Sequence, residues 1–335
     1  MIKQSCTFLT SLSLLLSAST FAYDLEIEVF EGEELALLKN AETSSDNELL
    51  MQAANLLIED SMYEENLQRG YEYMNQVAES GEVKAMITLA DNYYYEEQYE
   101  KALAWYHKAE TSKDPYVLYS LGVMYFDGEG TPIDLKKGND YYLASAKAGY
   151  SDAMYQLAFS YDEGQGVAQD FSKSAYWFEQ SANLGDASAM YNLGISYLNG
   201  QGVEKSCSKA MQLFSKAIEE DEHTLSYVKM GDIYSSTRYK KPCGFKTTDA
   251  KKALEYYTHA AMQGNDYGQY SVGYAYRNGH GTWSDFVKAL AWFEVAQEYG
   301  NSDAEKEIID VKQYMSKENI AAAAQLKDSL IEDIW

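Results

Sequence analysis

The sequence repeats itself with a period of about 36 residues, and this repetition limits the possible folds more than any other feature. Pairs of glycines separated by one residue stand at 128–130, 164–166, 200–202 and 279–281. An apolar and then a small residue precede each pair, and a lysine follows it. The small residues are Gly122, Ala158, Gly194 and Gly273, and the lysines are Lys137, Lys173, Lys209 and Lys288. Such a period indicates an array in which one unit of secondary structure is stacked many times.

Each repeat is predicted to be a pair of antiparallel α-helices. In the second copy, Ala153, Leu157 and Tyr161 follow the spacing of one helical face. The small residue beside the leucine stands where a larger side chain would hold the two helices apart. The glycines then end the first helix, because glycine adopts the left-handed conformation found past a helix end. Aspartates that are expected to cap the second helices follow at positions 134, 170 and 285.

The consensus of these copies can be written Ala-x-x-x-Leu-Gly-x-x-Tyr-x-x-Gly-x-Gly-Val-x-x-Asp-x-x-Lys-Ala-x-x-Trp-Phe-x-x-x-Ala. It resembles the Sel1-like repeat, a relative of the tetratricopeptide repeat. Degenerate copies begin near Ala53 and Ala85, and one further copy carries an insertion around 235–248. The resemblance covers about three quarters of the chain. It implies an all-α fold, a right-handed α/α superhelical solenoid of helix-turn-helix repeats, with a concave face that binds proteins.

The sequence divides into four predicted segments. Residues 1–22 form a signal peptide, and residues 23–46 an acidic leader that is flexible in one interpretation. Residues 47–301 hold about seven helix pairs, and residues 302–335 form a helical cap at the C-terminal end.

The signal peptide prediction depends on three features at the N-terminus. Lys3 supplies a positive charge, 8–16 is an apolar stretch, and 19–22 has the small residues of a cleavage site. The apolar stretch is too short for a membrane span, and no later segment approaches 18 uninterrupted apolar residues. The chain is therefore expected to be periplasmic or secreted, most simply in the cell envelope of a Gram-negative bacterium.

The chain is strongly acidic, with 52 acidic and 27 basic side chains and a net charge of −25. This charge argues against nucleic acid as a partner, because binding to phosphates requires a basic surface. Residues 24–65 hold 13 of the acids and one base, Lys39. Two interpretations stay open: an arm that reaches for a basic partner, or a solvated, partly disordered leader.

Two cysteines follow the predicted signal peptide, Cys207 and Cys243. An even number of cysteines in an oxidising compartment favours a disulfide. Cys207 comes directly after the capping position of a second helix, and Cys243 lies in the insertion of the next repeat. We therefore expect a bridge between neighbouring repeats, with two free thiols as the alternative.

A ladder of tyrosines is the most informative candidate for a binding surface. In the four repeats that have a glycine pair, a tyrosine stands two residues before the apolar-small pair, and a second ladder residue follows that tyrosine four positions later. These eight residues are Tyr119, Val123, Tyr155, Phe159, Tyr191, Ile195, Tyr270 and Tyr274. By analogy with tetratricopeptide repeats they project from the first helix toward the groove, where tyrosine suits recognition of a protein. The alternative is that they only pack neighbouring repeats together.

A different set of tyrosines shares the helical face of the apolar-small pair and is expected to be buried. These are Tyr125, Tyr161, Tyr197, Tyr234 and Tyr276.

Enzymatic and metal-binding interpretations find little support. Residues 206–209 match the Ser-x-x-Lys motif of β-lactam-binding enzymes, and residues 45–47 match their Ser-Asp-Asn motif. The two motifs stand in the reverse order, however, and the third motif, Lys-Thr-Gly, is missing. The four histidines lie in different repeats without metal-ligand spacing, at His107, His223, His259 and His280. We therefore expect no cofactor and no metal.

The sequence favours an exported, non-catalytic scaffold that binds a protein partner, which the acidity suggests is basic. The first alternative is a periplasmic immunity-type protein that neutralises a secreted antibacterial toxin. A hydrolase acting on the cell wall or on β-lactams is a remote alternative. The oligomeric state and the identity of the partner do not follow from the sequence.

Overall fold

The computed structural model describes residues 30–59 and 64–334, and all regular structure within those ranges is helical. The predicted signal peptide at 1–22 lies outside the described residues. None of the described helices is both long enough and apolar enough to cross a membrane. The chain divides into two compact units, residues 1–89 and residues 90–335.

The N-terminal unit contains α1 (Gly32–Ala41), α2 (Asn47–Glu59), α3 (Glu64–Glu79) and the first half of α4 (Val83–Tyr95). α1 falls within the leader segment 23–46, of which residues 23–29 lie outside the described part of the chain. Leu38 and Ala41 on α1 are buried, and α1 packs against α2. Residues 32–41 of the leader thus form a helix that is packed through Leu38 and Ala41.

The C-terminal unit is an array of helix pairs. It begins with the second half of α4, and α5 (Tyr99–Ala109) follows after a short turn. Each following pair consists of a first helix and a second helix, joined by a loop. The pairs are α6 (Pro115–Asp127) with α7 (Leu135–Lys147), α8 (Ser151–Glu163) with α9 (Phe171–Ala182), α10 (Ala187–Asn199) with α11 (Cys207–Asp221), α12 (Thr224–Ser235) with α14 (Ala250–Met262), and α15 (Asp266–Asn278) with α16 (Phe286–Glu298).

Two helices close the C-terminal end of this unit, in the segment where the sequence predicts a cap. They are α17 (Ala304–Lys312) and α18 (Lys317–Asp333), and both pack against α16. Arg277 on α15 is held by ion pairs to Glu307 and Asp310 on α17.

The predicted helix signals are confirmed at the residues that carry them. Gly128, Gly164, Gly200 and Gly279 are the left-handed residues that end four of the first helices. The second glycine of each motif allows close packing against the preceding helix pair. A Cβ at Gly166 would lie 2.6 Å from the backbone of Leu135 in that preceding pair. The aspartates at 134, 170 and 285 accept hydrogen bonds from the backbone N–H groups of the helices that follow them.

The insertion between α12 and α14 contains a short helix, α13 (Thr237–Lys240), and is fastened at two points. A disulfide joins Cys243 to Cys207 at the start of α11, with 5.0 Å between the two Cα atoms. The ring of Phe245 stacks on Tyr234, with 5.2 Å between the ring centroids. The insertion is therefore tied to the preceding helix pair as well as to its own.

Candidate protein-binding site

The tyrosines of the ladder are half-buried, and each packs against an aromatic ring of the second helix of its own pair. The centroid distances for the four pairs are all close to 5.7 Å, within the range of favourable aromatic contacts. They are 5.9 Å for Tyr119 and Tyr142, 5.7 Å for Tyr155 and Phe178, 5.7 Å for Tyr191 and Phe214, and 5.6 Å for Tyr270 and Phe293. One side of each ladder tyrosine thus belongs to the packing of the repeat.

The residues one turn later along the same helices are more exposed in two of the four cases. Phe159 is 40% exposed and Tyr274 is 41% exposed, whereas Val123 and Ile195 are partly buried. Tyr155 also accepts a hydrogen bond from the amide of Asn192 in the next pair, at 3.4 Å. The ladder therefore combines contacts between repeats with an exposed aromatic surface. We call the eight ladder residues together the ladder surface.

The second set of tyrosines lies closer to the core and receives the repeat lysines. Tyr125 and Tyr234 are each 9% exposed, and the other three are partly buried. In five repeats the ammonium group of the repeat lysine lies over the ring of the tyrosine from this second set, which is a cation–π contact. The distances from nitrogen to ring centroid are 3.8 Å for Lys137, 5.0 Å for Lys173, 4.9 Å for Lys209, 4.5 Å for Lys252 and 5.1 Å for Lys288.

Two aspartates interrupt the apolar pattern of the ladder. Asp91 on α4 and Asp232 on α12 occupy the repeat position that Val123, Phe159, Ile195 and Tyr274 occupy elsewhere. Each aspartate accepts two tyrosine hydroxyls on one carboxylate oxygen. Asp91 Oδ1 accepts from Tyr106 at 2.5 Å and from Tyr116 at 2.9 Å. Asp232 Oδ1 accepts from Tyr257 at 2.9 Å and from Tyr267 at 3.3 Å.

The partners of the two aspartates are also equivalent in the repeat. Tyr106 and Tyr257 are the second aromatic residue of the second helix, where Phe178, Phe214 and Phe293 stand in other repeats. Both repeats that carry the aspartate therefore have a tyrosine at the ring position, although Tyr142 occupies that position in a repeat that has Val123 in place of the aspartate. These two clusters were not predicted from the sequence, although an aspartate at a position that is otherwise apolar indicates them.

Burial governs the electrostatics around Asp91. Desolvation raises the pKa of its carboxyl group, and the hydrogen bonds from Tyr106 and Tyr116 oppose that shift only in part. The pKa of Tyr116 is raised to about 12, first by burial and then by the negative charge of Asp91. Asp232 has a cation beside it instead, because Lys229 Nζ lies 3.0 Å from Asp232 Oδ2.

A cavity accompanies each cluster. The cavity near Asp91 has a volume of about 160 Å³, and Asp91 itself lines it together with Tyr94, Tyr95, Tyr106 and Tyr116. The cavity near the second cluster is larger, about 460 Å³, and it is lined by Tyr257, Tyr267, Tyr270 and Tyr274 among others. Both cavities include members of the ladder surface, since Tyr119 and Val123 border the first one.

The Ser-x-x-Lys motif has a structural explanation. Ser206 is the capping residue of α11, and its hydroxyl accepts a hydrogen bond from the backbone N–H of Lys209 at 3.4 Å. The Lys209 ammonium lies over the Tyr197 ring, as in the other repeats. Among the described residues, no group of three or more histidine, cysteine, aspartate or glutamate side chains has an arrangement that could hold a metal ion.

Comparison with protein-family models identifies Sel1 repeats in six segments of the chain. The matched segments are residues 83–113, 115–150, 151–186, 187–222, 244–265 and 266–296. Together they cover more than half of the sequence, and the gap between the fourth and fifth segments contains α12 and most of the insertion.

Solved structures share the fold. A Sel1 repeat protein from Oxalobacter formigenes is 25% identical, with a TM-score of 0.60 over 66% of this chain and 88% of its own. A protective antigen of uropathogenic Escherichia coli strains, c5321, is 23% identical, with a TM-score of 0.50 over 87% of this chain and 70% of its own. The described helix pairs thus form a solenoid of known type.

Proposed function

Because this chain belongs to the Sel1 repeat family, whose arrays are scaffolds suited to protein–protein interaction, we propose that it is a non-catalytic scaffold that binds a protein partner on the ladder surface. The fold leaves the identity of that partner open, and a secreted toxin is one candidate among others.

The exposed aromatic residues of the ladder surface are the observation that carries this proposal. Phe159 and Tyr274 leave about two fifths of their surface exposed, beside tyrosines whose buried sides hold them in place. Rigidly held aromatic side chains are favoured at the centre of interfaces, because little conformational entropy is lost when they bind. The net charge of −25 supports a basic partner.

The disulfide supports the further proposal that the chain works outside the cytoplasm, in the cell envelope. Structural disulfides persist in oxidising compartments and are rare in the cytosol. Cys207 and Cys243 are bonded in the structure, and the predicted signal peptide would deliver the chain to such a compartment.

The first prediction tests the ladder surface with the double substitution Phe159→Ala and Tyr274→Ala. The wild-type protein is immobilised to capture its partner from a periplasmic extract, and the affinity for that partner is then measured by calorimetry. We expect the double variant to bind at least tenfold more weakly, since truncating aromatic residues at the centre of an interface costs about 2 kcal/mol or more. Its melting temperature should change little, because both side chains are substantially exposed.

A matched control is Tyr314→Ala, which removes an aromatic side chain that is 70% exposed on the C-terminal cap. This variant should bind the partner as the wild type does. Equal losses in the control and the double variant, or full binding by the double variant, would show that the partner does not bind on the ladder surface.

A further inference from the structure

The two aspartate clusters differ in one respect that bears on ligand binding. At Asp232 the carboxylate is already paired, because Lys229 from the preceding turn of the same helix places its ammonium on Oδ2. Asp91 has Thr88 at the equivalent sequence position, and none of the described lysines or arginines forms an ion pair with it. Asp91 also lines its cavity, whereas Asp232 is absent from the lining of the larger one. The repeat thus pairs one copy of this carboxylate with a lysine and leaves the other open to a cavity.

The walls of the Asp91 cavity suit a cation. Tyr94, Tyr95, Tyr106 and Tyr116 line it, and the faces of aromatic rings attract ammonium groups. This chain makes the same kind of contact repeatedly, where each repeat lysine lies on a tyrosine. Burial and then the carboxylate of Glu129 raise the pKa of Tyr94, so a second negative charge lies close to a tyrosine of the cavity wall.

The geometry favours lysine over arginine. Both tyrosine hydroxyls donate to Oδ1 of Asp91, so Oδ2 is the oxygen left for a ligand. An arginine fork binds best to two oxygens at once, whereas an ammonium needs only one. The volume of about 160 Å³ is below the range of about 300–1,000 Å³ usual for small-molecule ligands, and it suits a single side chain.

We propose that the Asp91 cavity is an anchor site that takes one lysine side chain of the protein partner, with its ammonium on Asp91 Oδ2 between the tyrosine rings. This inference rests on the proposed scaffold function and specifies the chemistry of the partner. Lys229 on Asp232 is the internal counterpart of that contact.

The second prediction uses a peptide and does not require the natural partner. The probe is Ac-Ala-Ala-Lys-Ala-Ala-NH₂, and the same peptide with norleucine in place of lysine lacks the charge. Binding is followed by NMR of the full-length protein labelled with ¹³C in its tyrosine rings. We expect the lysine peptide to shift a few tyrosine resonances in a saturable way, and the norleucine peptide to leave them unchanged.

Three substitutions locate the site. Tyr95→Ala should weaken binding of the lysine peptide about fivefold, as expected for one cation–π contact at an exposed site; Tyr95 is 82% exposed, so its removal spares the packing. Asp91→Asn should weaken binding at least tenfold. Thr88→Lys places a lysine at the position equivalent to Lys229 and should weaken binding to the same degree. The matched controls Glu163→Gln, an exposed carboxylate, and Tyr314→Ala should leave the apparent Kd within about twofold of the wild type.

Equal binding of the two peptides, or equal losses in Asp91→Asn and Glu163→Gln, would overturn the anchor site, because the attraction would then be general. Such a failure leaves the ladder surface untouched, since Phe159→Ala with Tyr274→Ala tests that surface through the captured partner. Conversely, a lysine peptide that binds at Asp91 while the ladder variant keeps full affinity would support the anchor site alone.

Discussion

At the scale of single residues, the spacing between the two helices of a pair depends on one small residue and the ring above it. A Cβ added at Gly194 would lie 2.6 Å from the ring of Phe214, and one at Gly231 would lie 2.6 Å from the ring of Tyr257. Both rings are buried. In the pair formed by α8 and α9, Ala158 occupies this position below Phe178. The repeat therefore accepts glycine or alanine here, according to how closely the ring approaches.

The third prediction is that Gly194→Ala destabilises the protein although alanine is the better helix former. Overpacking a buried site costs about 1–3 kcal/mol, and the gain in helix propensity is only about 1 kcal/mol. Phe214 cannot move aside easily, because its side chain is fully buried among Met230 and Tyr257. We expect a net loss of up to about 2 kcal/mol in the free energy of unfolding, measured with urea.

The reciprocal substitution is the control. Ala158→Gly should cost about 1 kcal/mol, because glycine is the poorer helix former and no steric strain is relieved in return. Stabilisation by Gly194→Ala would mean that Phe214 adjusts at no cost, and that glycine at this position is not required by the close approach of the ring.

Residues that act within one helix pair could be predicted from the sequence, whereas the disulfide between Cys207 and Cys243 was the one contact across pairs that was predicted. The small residue, the glycine turns and the capping aspartates act over a few residues, so their spacing in the chain reveals them. The Asp91 cluster instead joins residues of α4, α5 and α6. A tyrosine differs from a phenylalanine by a single oxygen atom, so the pattern of apolar and polar residues does not reveal these hydrogen bonds. Its signal lies in a comparison between repeats: an aspartate at an apolar position coincides with a tyrosine at the ring position.

At the scale of elements, the insertion between α12 and α14 is the main departure from the repeat. The polypeptide leaves α12 at Ser235 and returns to the repeat at Asp249, which caps α14 and whose N–H donates to the carbonyl of Tyr234. The equivalent hydrogen bond recurs in the other pairs, for example from Asp134 to Tyr125. The extra residues therefore leave the junction of the two helices intact, and the disulfide and Phe245 fasten them outside it.

The fourth prediction concerns the disulfide between α11 and the insertion. Replacing both Cys207 and Cys243 with alanine opens a covalent loop that spans 36 residues. We expect a loss of roughly 3 to 4 kcal/mol in the free energy of unfolding, because in the chain-entropy model the bridge restricts the unfolded chain. Amide hydrogens of residues 236–248 should also exchange faster.

Reduced wild-type protein is the matched control and should show the same loss of stability. Mass spectrometry of unreduced peptides should find the two cysteines linked and resistant to alkylation. Alkylation of both thiols without reductant, or equal stability of the oxidised and double-alanine proteins, would contradict a stabilising bridge.

At the scale of the whole molecule, the excess of acidic residues opposes folding. The net charge of −25 creates repulsion within the folded chain, and exposed ion pairs contribute too little to offset it. Several of the ion pairs in the described residues are indeed largely solvent-exposed, such as Lys136 with Asp140. The same charge favours the approach of a basic partner, so stability and binding place opposite demands on it.

The fifth prediction follows from this opposition and concerns salt. Raising the ionic strength from 10 mM to 100 mM shortens the screening length from about 30 Å to about 10 Å. Repulsion among the excess carboxylates then weakens, so the melting temperature measured by circular dichroism should rise.

Binding of the lysine peptide should weaken over the same range of ionic strength, because salt also screens the attraction between the peptide's ammonium group and the carboxylates of the protein. Sodium chloride at these concentrations has little effect on apolar burial, so screening dominates. A melting temperature that falls with salt would show that attractive ion pairs, rather than the net charge of −25, dominate the electrostatics of the folded chain.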